Sequence, residues 1–129
     1  MTLDDLDQTM RDYAAAVRCG AAARHGWPEW INIPSKIGQV TAVRIYARDQ
    51  REQAKRDGQL IAAVCPGLVD TRASRPWFTD MSHAQSPGQA ALDVVKLATD
   101  PIDPHMYGEL VQQGRIIPWT GPAAAAHTA

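Results

Sequence analysis

The sequence predicts an α/β fold in which helices pack on a sheet with a parallel strand. Three observations predict it. Leu60–Val64 (LIAAV) is a short continuous apolar run, the pattern of a strand buried on both faces. Segments before and after it carry apolar residues at helical spacing. The strand runs into Pro66-Gly67, and in open α/β sheets ligands sit beyond the carboxyl ends of the strands. Pro66 cannot donate to a ladder, and Gly67 permits a sharp turn or a close ligand.

The elements follow in order. Thr2 and Asp5 resemble a capping box, with Asp4, Asp5 and Asp7 at the positive end of a helix. Leu3, Leu6, Met10, Ala14 and Val17 give that helix one apolar stripe, running towards Gly20. His25-Gly26-Trp27-Pro28 breaks the pattern. Pro34 suits the first turn of a second helix, which carries Ile37, Val40, Val43, Ile45 and Ala47 and is expected to place Ile37, Val40 and Val43 in the core. Beyond Arg48 it becomes solvated, and Gly58 stops it. After the strand, an irregular stretch from Gly67 to His83 holds Trp77, Phe78 and Met81, either a lid or packing residues. Ser86-Pro87 reads as an N-cap and first helical position, opening a third helix with Ala90, Ala91, Val94, Val95 and Ala98 on one stripe. Met106–Val111 reads as a second strand, followed by a turn around Gly114. The segment 120–129, TGPAAAAHTA, is expected to be disordered.

A chain of 129 residues suffices for one domain and one core, and 45% apolar with 21% charged residues fits a globular protein. A net charge of −1 gives no electrostatic pull towards nucleic acid or an anionic membrane, so neither partner is expected. No apolar run approaches a membrane span and no secretory signal is visible, which makes the cytoplasm the expected compartment. Cys19 and Cys65 have no metal or framework spacing and read as reduced thiols, Cys65 as a small core residue. The four histidines, at 25, 83, 105 and 127, lack ligand spacing, so no metal is expected.

Three helices with one clear strand look like part of a sheet protein, since a lone strand leaves its backbone groups unpaired. The segments TLDDLDQTMRDYAAAV to HGWPEW, SKIGQVTAVRIYARD, VCPGLVDT, SPGQAALDVVKLA and YGELVQQGRIIPW, in that order, resemble the C-terminal half of a short-chain dehydrogenase/reductase of the carbonyl-reductase branch. The resemblance covers residues 1–119. It implies a partial Rossmann-like, doubly wound fold, namely the C-terminal half of a parallel sheet with flanking helices. It also implies NADP or NAD as cofactor, a small carbonyl substrate and a homo- or hetero-oligomer.

In that family a tyrosine four residues before a lysine passes a proton to the substrate oxygen, and the lysine holds the nicotinamide ribose. Lys36 matches the lysine, and Asn32 occupies the tyrosine position. An amide has no proton that titrates in a useful range. Tyr46 lies about 15 Å along the helix from Lys36 at 1.5 Å per residue, and about 80° off its face. By resemblance Pro66, Gly67, the backbone at Val69 and the Thr71 hydroxyl line the carboxamide end of the cofactor. The family's glycine-rich phosphate loop is absent, since none of the nine glycines forms a G-x-G pair. The resemblance therefore implies an NAD(P)H-dependent oxidoreductase whose phosphate loop lies elsewhere. The alternatives are a non-catalytic subunit or interaction module, and a truncated gene product.

Overall fold

The computed structural model describes residues 1–118. The expected disordered segment 120–129 lies outside them. The chain divides into two compact units, Met1–Ile61 and Ala62–Ala129.

The first unit is a pair of helices, α1 (Leu3–Arg18) and α2 (Asn32–Asp57), joined by a loop containing a 3₁₀ turn at Ala23–His25. The capping box opens α1: Asp5 N–H donates to Thr2 Oγ1 at 3.2 Å, and Thr2 N–H donates to the Asp5 carboxylate at 2.7 Å. The shorter Asp thus does the work of the usual Glu. Leu6, Tyr13 and Ala16 are buried on α1, and Pro34, Gly38, Ile45, Ala47 and Ala54 on α2. Small residues dominate this seam because α1 and α2 approach closely. A Cβ on Gly38 would stand 3.0 Å from Met10 Sδ. Tyr13 packs against Trp27 with ring centroids 4.7 Å apart, which folds the interhelical loop back onto α1. Gly58 closes α2 in the left-handed region at φ 60°, where a side chain would be strained. The expected core at Ile37, Val40 and Val43 needs correction. Ile37 is exposed and the two valines are half-buried, because α1 covers the side of α2 marked by Gly38 and Ile45.

The second unit holds a small mixed sheet in the order β1-β2-β3, with β1 at Ala63–Val64, β2 at Leu110–Gln112 and β3 at Arg115–Ile117. β1 and β2 run parallel, and β2 and β3 antiparallel. The helix α3 (Pro87–Thr99) opens on a second capping box between Ser86 and Gln89. This α/β arrangement, three helices with a three-stranded mixed sheet, is compatible with a partial Rossmann-like fold.

Three expectations are corrected here. The strand expected at Leu60–Val64 pairs only at Ala63–Val64, and 60–64 is half-buried rather than buried on both faces. β1 is an edge of the sheet, so one neighbour covers it instead of two. The strand expected over Met106–Val111 starts later, after a 3₁₀ turn at Pro104–Met106. β3 was not expected at all. It follows a two-residue hairpin turn, Gln113-Gly114, in which both residues have positive φ, 49° and 71°, as a type I′ turn requires. On α3, Ala90 is buried, but Val94 and Val95 of the expected stripe are 42% and 54% exposed.

Candidate functional site

The first unit supplies two of the expected site residues. Asn32 is the first residue of α2 and Lys36 lies one turn on, so the two share a helix face. Both are exposed. Lys36 Nζ lies 3.5 Å from Gln39 Oε1, the outer limit of a hydrogen bond. The Asn32 carbonyl accepts from Ser35 Oγ at 3.0 Å, which tightens the first turn. Tyr13 of the same unit is buried against Trp27, so it is no surface proton donor.

The second unit brings together Pro66, Gly67, Val69 and Thr71 in one loop beyond the carboxyl end of β1. Gly67 turns the chain at φ 78°. From there Gln85, the residue before the N-cap of α3, fastens one side. Its side-chain N–H donates to the Pro66 carbonyl at 2.8 Å, its backbone N–H to Leu68 O at 2.9 Å, and its carbonyl accepts from Asp70 N–H at 2.8 Å. These backbone bonds form a parallel bridge between Val69 and Gln85. In such a bridge the flanking residues' groups do the bonding, so Val69's own N–H and C=O face away from Gln85.

Ser74 fastens that other side. Its Oγ donates to the Val69 carbonyl at 2.6 Å, accepts from Thr71 N–H at 3.0 Å and lies 3.1 Å from Thr71 Oγ1. Ser74 N–H in turn donates to Thr71 Oγ1 at 3.2 Å. An ion pair braces the same loop: Arg75 Nε and NH2 reach the two Asp70 carboxylate oxygens at 2.7 and 3.2 Å. The guanidinium's hydrogen bonds hold the Asp70 carboxyl below its ordinary pKa. Trp77 closes a 3₁₀ turn at Arg75–Trp77 and is 67% exposed. Cys65 is half-buried rather than buried.

Sequence reasoning did not single out Ser74, Gln85 or the Asp70–Arg75 pair. The signal for Ser74 was present in Thr71-x-x-Ser74, the spacing of a capping box with Ser in the last place. Gln85 carried no local signal, because its partners lie up to 19 residues away. Among the described residues no group of His, Cys, Asp and Glu could hold a metal ion, and no helix is long and apolar enough to cross a membrane.

The chain is 34% identical over 122 residues to carbonyl reductase [NADPH] 1 of Macaca fascicularis, covering 92% of this chain and 42% of that protein. The chain resembles the carbonyl reductases, a branch of the short-chain dehydrogenases/reductases. The Homo sapiens carbonyl reductase [NADPH] 1 matches at the same 34% over 122 residues, and carbonyl reductase [NADPH] 3 of Rattus norvegicus at 32% over 121, each with 42% of the relative covered. The chain thus spans less than half the length of these carbonyl reductases, a coverage that a C-terminal-half-like segment fits. No family model matches it.

Proposed function

We propose that residues 1–119 form the nicotinamide-binding portion of an NAD(P)H-dependent oxidoreductase acting on a small carbonyl compound. The observation that carries this reading is the loop after β1. It leaves the Val69 N–H facing away from Gln85 as a donor and holds the Thr71 hydroxyl by two hydrogen bonds shared with Ser74, one to its hydroxyl and one accepted from its N–H. A primary carboxamide, with one acceptor and one donor group, fits that pair. Two supports stand beside it: the carbonyl-reductase similarity spans 92% of the chain, and Lys36 occupies the position of the family's ribose-binding lysine.

The fit is to one end of the cofactor. A phosphate loop needs a glycine turn leading into a helix, and no G-x-G pair occurs in this sequence. That loop must come from another chain or another part of the polypeptide. A reduced nicotinamide held here would supply a hydride to a carbonyl carbon and be oxidised to NAD(P)+, and the carbonyl oxygen would then need a proton. Asn32 can orient that oxygen through its amide N–H groups, but it holds no proton of suitable pKa. The proton therefore comes from water or from a group outside this helix face.

Tryptophan fluorescence on adding NADPH, then NADH, tests the reading, with Lys36→Ala as control. Trp27, Trp30 and Trp77 are reporters. Saturable quenching that weakens about tenfold in Lys36→Ala supports a ribose contact worth about 1.4 kcal/mol. Equal affinity in both proteins removes Lys36 from the site.

A second reading, a non-catalytic subunit that assembles with a copy of itself or another chain, is favoured by two observations. Leu92, Val94 and Val95 of α3 are 58%, 42% and 54% exposed, and β1 ends the sheet with an edge that can pair. A monodisperse dimer or heteromer by native mass measurement supports it; a monomer at micromolar concentration counts against it.

A further inference from the structure

We propose that Ser74 makes the loop after β1 selective for a carboxamide over a carboxylate, by keeping the Thr71 hydroxyl a hydrogen-bond acceptor. The inference rests on the cofactor reading above and names a specificity-determining residue within it.

The proton count carries it. Ser74 Oγ has one proton and two lone pairs. It lies 2.6 Å from the Val69 carbonyl and 3.1 Å from the Thr71 carbonyl, and the shorter contact takes the proton. One lone pair accepts Thr71 N–H at 3.0 Å. The other faces Thr71 Oγ1 at 3.1 Å. With its own proton committed, Ser74 can only accept there, so the proton of this bond is Thr71's. Thr71 Oγ1 already accepts Ser74 N–H at 3.2 Å, which leaves it one lone pair and no proton for a ligand.

The loop therefore offers a ligand one donor, the Val69 N–H, and one acceptor, Thr71 Oγ1. A carboxamide satisfies both, its carbonyl on Val69 and its amino group on Thr71. A carboxylate has only acceptors. To bind, it must either face the Thr71 lone pair or break the Thr71–Ser74 bond. A site arranged to bond a particular polar group rejects a partner that leaves it unpaired.

The test uses nicotinamide mononucleotide and nicotinic acid mononucleotide, which differ only in this group. Affinities for both are measured by heteronuclear NMR titration on the purified chain, on Ser74→Ala and on Ser74→Thr. Wild type is expected to prefer the amide, Ser74→Ala to lose about five- to tenfold of that preference, and Ser74→Thr, which keeps the hydroxyl, to retain it. A purely structural serine would lower both affinities together and leave their ratio unchanged, which overturns the proposal. So does a wild type without preference between amide and acid. Wild type that binds neither mononucleotide at millimolar concentration overturns the cofactor reading, and the Ser74 inference with it. Ser74→Cys, close in size but a weak hydrogen-bonding group, carries the same ratio test if Ser74→Ala does not fold.

Discussion

Replacing Gly67 by alanine separates two physical costs at the centre of the candidate site. The backbone there sits at φ 78°, and an added Cβ would stand 3.0 Å from Gln112 Nε2 and 3.4 Å from Gln85 Nε2. An L-residue in the left-handed region costs about 1–2 kcal/mol relative to glycine. The steric cost is smaller. Gln112 presents the far end of a flexible side chain, and the Gln85 amide, though held on the Pro66 carbonyl at 2.8 Å, is at ordinary contact distance. The conformational term should therefore dominate, with Gly67→Ala destabilising the second unit by about 1–2 kcal/mol. With a urea dependence of about 1–2 kcal/mol per molar, the midpoint falls by roughly 1 M. Trp77 fluorescence and amide exchange at Cys65 and Gln85 follow this unit. Gly67→Asn decides between the two costs, because asparagine adopts positive φ more readily than alanine but carries more bulk. It should cost about half as much as alanine. A larger loss in Gly67→Asn than in Gly67→Ala refutes the conformational account and makes crowding against Gln112 the cause.

Other perturbations read other parts of the chain. Gly38→Ala gains about 1 kcal/mol of helix propensity and loses part of it by displacing Met10, whose Sδ would lie 3.0 Å away. Methionine is flexible, so a small net stabilisation is expected in a thermal melt, and the full gain in a Met10→Ala background. Val111→Ala removes the buried centre of β2, 2% exposed, and should cost about 2 kcal/mol, with loss of protection at the Cys65 amide bonded to it. Arg75→Gln should return the Asp70 carboxyl to its ordinary titration range by carboxyl NMR. Because the folded-state pKa lies below the unfolded one, the wild-type ion pair braces the loop above the ordinary carboxylate range. That brace is lost as pH falls through the depressed value.

Determinants that act over three or four residues were legible without the structure. The Thr2/Asp5 and Ser86 caps and the Gly58 stop follow from single residues meeting backbone groups of the adjacent turn, and the structure has them where the residues say. The resemblance to carbonyl reductases was equally legible, because five segments in order identify ancestry even where no one of them does. The hairpin to β3 is legible too, in Gln113-Gly114 flanked by the apolar pairs Leu110-Val111 and Ile116-Ile117, although only a turn is expected there from the sequence.

The tertiary structure decided which apolar residues are core. Helical periodicity marks a face but not whether another layer covers it, so Gly38, set against Met10 of α1, and Ile45 are buried while Ile37, Val94 and Val95 are exposed. It likewise decided that β1 is an edge, since pairing joins residues 47 positions apart in the chain. At the candidate site the sequence marked Gly67 and Thr71 and carried the Thr71-x-x-Ser74 spacing, whereas the partners of Ser74 and Gln85 were decided only once the loop was folded. Their roles are hydrogen bonds to the backbone of other residues, and a backbone group has no letter in the sequence.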